Sequence, residues 1–366
     1  MFTQLLTITR NTFVEAVRQP IFVVLLLVGA LFLVMNPFLA SYSMEPGSGD
    51  NRMLVDLGLG TLFLVGMFLA AFTATGAVCS EMDNKTALTV VSKPVPRPVF
   101  ILGKFLGVSG ALLIANYILT LVLLLTIRHR VLQNASDPMD APVILLGILA
   151  LVVAFGFAGA ANYLYQRVFT STFTALLVVA LTLAFGLVLL INKEWAFQSP
   201  LHDWQEDRGR MLQVAIGSGL ITQGVLILTA LAVALSARTG QVMTLMICVV
   251  VLVVGIGAGS ISQIVNSVLG IPADAGYLQS LSTITASDES AVRKALFIAG
   301  KTLYVIAPNF QFHTPADAIS LENSLVHNTQ GEFSLSYVGM VTLYTTAYIA
   351  AILGLGITLF QKREVS

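Results

Sequence analysis

Eight stretches of at least 20 residues contain no Asp, Glu, Lys, Arg or His, and they decide what this chain can fold into. They are 20–40, 57–79, 105–127, 141–165, 171–192, 212–236, 242–264 and 338–360. A helix needs about 20 apolar residues to cross the hydrocarbon core of a bilayer, and each stretch meets that length. The sequence therefore predicts an all-α polytopic membrane protein with about eight transmembrane helices. Breakers such as Pro20 and Asn36-Pro37 fall at or near the ends of the first stretch. Helices in lipid tolerate them when neighbours satisfy the freed backbone groups. Composition agrees: 56% of the 366 residues are hydrophobic and only 10% are charged. Soluble domains carry about 25% charged residues, so this chain cannot cover itself with a water-facing surface. A formal net charge of zero also argues against a nucleic-acid binder, which would need a basic face. Two cysteines, Cys79 and Cys248, are too few for a disulfide framework or a cysteine-based metal site.

The zero is a sum of two unequal halves. With the N-terminus inside, eight spans put the C-terminus inside as well. The inner segments then hold ten Lys and Arg against four acids, a sum of +6, and the outer segments sum to −6. Lys and Arg accumulate on the cytoplasmic side, so the expected orientation is N-in and C-in. The run from Ile21 to Leu33, followed by Ala40-Ser41, has some features of a cleaved signal peptide. The segment before it is amphipathic and longer than a usual n-region, which favours a retained span.

Residues 1–19 read as an interfacial helix. Phe2, Leu5, Leu6, Phe13, Ala16 and Val17 share one face at 100° per residue, and Gln4, Asn11, Glu15 and Arg18 lie opposite. A frayed lead-in is the alternative. Arg18 is the expected anchor at the membrane surface, and Pro20 supplies the break that turns the chain into the first span. Spans 20–264 form the expected bundle, with an inner loop at 80–104. Residues 81–91 have length for about three helical turns. Ser92-Lys93-Pro94-Val95-Pro96-Arg97-Pro98 then forbids helix and stiffens the chain. A helix on a rigid strut suits force transmission to a cytosolic partner; an ordinary connecting loop is the alternative.

The outer segment 265–337 precedes the last span and the cytoplasmic tail, 338–366. Within it, 288–306 carries an apolar stripe of Val292, Ala295, Leu296, Ala299, Leu303 and Ile306, and Pro308 stops it. It is expected on the outer mouth of the bundle or in the outer leaflet, with a small folded lid as the alternative. Trp195 and Trp204 flank a short outer stretch and are the expected interfacial anchors.

Several motifs approach a chemistry and miss it. Residues 295–302 resemble a phosphate loop but have Ala295 where glycine is required, inside a helical pattern on the outer side. Gly107-Val-Ser109-Gly110 resembles an intramembrane serine-protease motif, which needs a histidine at the same depth. His129, His202, His313 and His327 all fall in outer segments. Close helix packing by small residues is the better account of this stretch and of Gly103-Lys-Phe-Leu-Gly107. The histidines, taken with Asp203 or Asp317, lack the spacing of a zinc motif. No ionisable residue lies inside a span, which argues against a proton-coupled carrier. Asn116, Asn162, Thr182 and Gln223 are polar but cannot relay protons.

The inner loop Glu81-Met-Asp-Asn-Lys-Thr86-Ala-Leu-Thr-Val-Val-Ser92-Lys-Pro-Val-Pro-Arg97, followed by Gly103-Lys104, resembles that of type-2 ABC transporter permeases. The segment ending Arg18-Gln-Pro20 looks like the elbow helix of that family. Ala307-Pro308-Asn309-Phe310 before the last span, and Phe360 to Glu364 at its inner end, are also similar. The nearest likeness is to the multi-copper enzyme maturation branch. The resemblance implies a permease, an exporter without its own ATPase motifs, in a bacterial inner membrane. It implies work as a dimer with a second copy or a paralogue, and with two cytosolic ATPase subunits that bind the ATP. Neither a cofactor nor a metal in this chain is implied. Glu81, Lys85, Thr86, Leu88, Ser92 and Arg97 would lie at the ATPase contact. Family members usually have six spans, so the eight here are a departure. A membrane-embedded hydrolase using Ser109 is the alternative of a different class. A charge-free lining hints at an amphipathic or lipid-like cargo, while lipid, peptide, glycan, metal and antibiotic cargo all stay open.

Overall fold

The computed structural model describes residues 1–41, 48–83, 96–131, 139–205, 210–236, 239–268, 291–313 and 334–361. Among these the chain is helical without strands, save for an isolated antiparallel bridge between Ile191 and Phe197. In chain order the helices are α1 (Phe2–Arg18), α2 (Pro20–Ala40), α3 (Ser48–Asp83), α4 (Arg97–His129), α5 (Ala141–Tyr165) and α6 (Phe169–Leu190). There follow α7 (His202–Gln205), α8 (Arg210–Ser236), α9 (Gln241–Val268), α10 (Ala291–Ile306), a 3-10 turn (Phe310–His313) and α11 (Leu335–Gln361).

Each expected span is carried by one helix, and only 171–192 overruns its helix, by the two residues after Leu190. Seven helices are long and apolar enough to cross a membrane among the described residues: α2, α3, α4, α5, α6, α8 and α11. The eighth, α9, holds a shorter apolar stretch, Gln241–Gly257, within its 28 residues. The chain is a multi-pass membrane protein.

Helix ends follow local chemistry. Gln19 is extended (φ −65°, ψ 129°), and Pro20 opens α2 at a position where its missing N–H costs nothing. Asp140 caps α5 by accepting a hydrogen bond from the Val143 N–H at 3.3 Å. Helix α3 has 36 residues and α4 has 33. At 1.5 Å per residue each exceeds about 49 Å, well beyond a hydrocarbon core of about 30 Å. Both therefore project past the apolar layer, and α3 ends in Glu81-Met-Asp83.

The core forms where α3, α4 and α8 pack together, and these are the most enclosed spans. Leu59, Leu62 and Met67 of α3 are buried against Ile118, Leu119 and Leu123 of α4 and Ile221, Val225 and Leu228 of α8. α2 lies against α3 and α4, and α11 against α8. α5 and α6 pair chiefly with each other at the periphery. Ala150, Ala154 and Ala158 make the inner stripe of α5, while Leu145, Ile148, Val152, Phe155 and Phe157 are exposed, as suits contact with lipid.

Candidate functional site

The N-terminal helix does not lie apart from the bundle. It runs along the first half of α4, over three glycines spaced to share one face: Gly103, Gly107 and Gly110. A Cβ on Gly107 would lie 2.6 Å from the Thr12 Cβ and 2.7 Å from the Thr9 carbonyl oxygen. A Cβ on Gly103 would lie 2.7 Å from the Ile8 Cγ2. No other residue allows so close an approach. The docked face is Leu5, Ile8, Thr12, Phe13 and Ala16. This differs from the face that apolar periodicity marks. Phe2 and Leu6 stay exposed, while Ile8 and Thr12 turn inward because the glycine groove accepts small and branched side chains.

One lysine ties this helix to the two helices on either side of residues 84–96. Lys104 of α4 is 1% exposed. Its Nζ donates to the Ala77 carbonyl of α3 at 3.2 Å and lies 3.6 Å from Glu15 Oε2 of α1. A buried ammonium is costly unless paired, so the three helices hold each other in register at this point. Gln19 packs its amide against Gly76 of α3. The Thr170 hydroxyl of α6 donates to the Arg18 carbonyl at 3.0 Å, which joins the α5–α6 pair to the same junction.

The expected contact residues divide around this junction. Glu81 lies in the last turn of α3, and Arg97 opens α4 after an extended Pro96 (φ −61°, ψ 131°). Lys85, Thr86, Leu88 and Ser92 lie outside the described residues. Arg18 is exposed at the end of α1. Trp195 is exposed at a tight turn with φ 61°, a left-handed conformation that costs a non-glycine residue about 1 kcal/mol. Trp204 is half-buried, edge to face with Phe185 at 6.2 Å. Ser109 is buried, and its hydroxyl makes no hydrogen bond among the described residues, to a histidine or to anything else.

A family model described as ABC-2 family transporter protein matches residues 6–196, more than half of the chain. The chain belongs to the ABC-2 transporter family. It is a permease subunit of an ABC transporter. The match runs from α1 through α6, so the whole junction of α1, α3, α4 and α6 lies in the family's own region. No curated protein matches the chain.

Two features of this permease have a packing role that the sequence did not show. At the end of α4 opposite the junction, Arg128 is buried between two carboxylates. Its Nε lies 2.9 Å from Asp203 Oδ2, one terminal nitrogen lies 3.8 Å from Asp140 Oδ2, and the other donates to the Ile191 carbonyl at 2.6 Å. Gln198 donates to Asp203 at 2.9 Å. The cluster pins the ends of α4, α5, α6 and α7 together.

The second feature is the segment 307–313, which is carried into the bundle among α3, α8, α9 and α11. Phe310 is fully buried, edge to face with Phe63 of α3 at 6.0 Å. His313 packs over Gly224 of α8, where a Cβ would lie 3.1 Å away, and its Nε2 bonds the Thr345 hydroxyl at 2.8 Å. Irregular backbone at this depth needs protein partners. The tyrosines of α11 supply them: Tyr337 donates to the Phe312 carbonyl, Tyr344 accepts from the Asn309 N–H, and Tyr348 donates to the Ile306 carbonyl. Burial pushes the imidazole of His313, which belongs to no spanning helix, down to about 4. Its Nε2 is engaged by the Thr345 hydroxyl, and the Ser109 hydroxyl has no hydrogen bond to it.

Proposed function

We propose that this permease is the membrane half of an exporter. A separate cytosolic ATPase subunit drives it, and it works as a dimer with a second copy or a paralogue in a bacterial inner membrane. On this reading the N- and C-termini are cytosolic, the loop 80–104 is the ATPase contact, and the chain holds no cofactor and performs no catalysis itself.

The observation that carries the reading is the Lys104 contact with Ala77 and Glu15. The two helices that enter and leave the loop are joined to the surface helix at a single buried cation. A push on the loop is then shared by α1, α3 and α4 as one body rather than absorbed by bending. Force applied outside the membrane can reach the spans only through such a stiff connection.

Affinity purification of the chain from its native membrane tests this reading. An ATP-binding protein should be recovered in stoichiometric amount. Charge reversal at Glu81 and Arg97 should lower the ATPase activity of that complex while the permease still folds and inserts. Recovery of the permease without any ATP-binding protein, or undiminished ATPase activity in the reversed variants, overturns it.

A further inference from the structure

Amide side chains are rare at membrane depth, because hydrocarbon offers them no hydrogen bonds. Two of them, Asn116 of α4 and Gln223 of α8, face adjoining polar positions in the structure. Asn116 is eleven residues into its expected span, and Gln223 is eleven residues into its own. At 1.5 Å per residue both lie about 17 Å from the membrane boundary, near the midplane.

Asn116 donates its amide N–H to the Thr222 hydroxyl and to the Ser218 carbonyl. Its side-chain oxygen is buried and accepts nothing among the described residues. Gln223 donates one N–H to Thr342 of α11 at 2.9 Å and accepts from Thr345 at 3.3 Å. An amide nitrogen has two N–H groups, so one is left over. The hydroxyls of Thr222, Thr342 and Thr346 each donate back to their own helix, which leaves their lone pairs as acceptors. Thr222 and Gln223 are half-exposed, and Thr342 and Thr346 are exposed. Gly219 and Gly339, on the same side of the two helices, have open space where a side chain would be.

We propose that this patch, Thr222, Gln223, Thr342 and Thr346, backed by the buried Asn116, is where the permease contacts the polar part of its cargo, and that this part is uncharged and rich in hydroxyl or amide groups. The inference rests on the permease reading and adds a substrate class to it. The patch offers both donors and acceptors. The spans that carry it (105–127, 212–236 and 338–360) contain no charged residue to balance a phosphate, carboxylate or ammonium. A charge there would be desolvated without a partner, whereas a glycerol-like or amide headgroup exchanges its water contacts for these groups.

The test uses Thr342→Cys in a Cys79→Ser, Cys248→Ser background, with Thr346→Cys as a second reporter. The protein is reconstituted in phosphatidylcholine vesicles and labelled with a cationic methanethiosulfonate, which reacts only with thiols that water reaches. Labelling should proceed. It should be slowed by 1-monooleoylglycerol and not by the matching lysophosphatidic acid, which has the same acyl chain plus a phosphate. Adding Gln223→Leu should weaken the protection about fivefold, the worth of one net hydrogen bond. Absence of labelling at both positions, equal protection by both lipids, or protection that survives Gln223→Leu overturns the proposal. So does copper-catalysed disulfide formation between two chains at position 342, since a second copy would then cover the patch. None of these readouts needs an ATPase, so failure of the cargo site is distinguishable from failure to recruit an ATP-binding partner.

Discussion

The Pro308 carbonyl oxygen lies where a side chain on Gly255 would begin: a Cβ there would sit 2.5 Å away from it, and equally close to the Phe310 ring. Gly255→Ala should therefore lift the segment 307–313 off α9. Overpacking of this kind costs about 1–3 kcal/mol. Hydrogen exchange at the amides of 309–313 should accelerate in the variant. Gly219→Ala, at a position with open space, should leave exchange unchanged.

The same segment makes stability depend on pH. His313 is held at about 4 in the folded chain against an ordinary value of 6.5. The unfolded state then binds the extra proton between those values, so stability is full above 6.5 and falls as pH drops toward 4. Melting temperatures at neutral pH and near pH 4.5 should differ more in the wild type than in His313→Gln. An equal slope in the two proteins would mean that the ring is not held neutral.

Docking of the N-terminal helix should fail in Gly107→Val, because the new side chain meets Thr12 and the Thr9 carbonyl directly. Limited trypsin treatment should then cut at Arg10 and Arg18 much faster than in the wild type. Gly159→Val, on α5 where nothing lies within 4 Å, is the control that should not change cleavage.

Removing the guanidinium of Arg128 leaves Asp140 and Asp203 facing each other in a buried site. Arg128→Met should cost about 3–5 kcal/mol, the range for breaking a buried pair. The triple variant Arg128→Met, Asp140→Asn, Asp203→Asn should recover most of that loss in thermal melting. A triple variant no better than the single one would locate the effect in packing rather than charge.

The spans were legible because lipid imposes one rule on every residue that touches it. The expected stretch 141–165 coincides with α5, since Asp140 and Pro142 mark its start as clearly as its apolar run does. α3 begins earlier than the charge-free criterion allows. Asp50 and Arg52 continue the helix beyond the region where charge is excluded. What the sequence hid is whatever depends on a second element. The inward face of α1 is set by glycines about 95 residues downstream, so its own periodicity finds Leu5, Phe13, Ala16 and Val17 but not Ile8 and Thr12. Arg128, Asp140 and Asp203 each read as a solvated loop charge, and only the fold brings them together. Ala307-Pro308-Asn309-Phe310 stood out as a family likeness without any sign that it is buried; the signal for its burial was Gly224 and Gly255 inside spans, where nothing local calls for glycine.

The Arg128 cluster also sets an order of events during synthesis. Arg128 emerges from the ribosome first, Asp140 next and Asp203 only after two further spans have been made. Until then the arginine sits at the rim of the membrane with one carboxylate at most. The cluster is complete only when Asp203 arrives. A chain truncated between Leu190 and Asp203 would lack the carboxylate nearest to Arg128 and leave a buried guanidinium with one distant acid for partner.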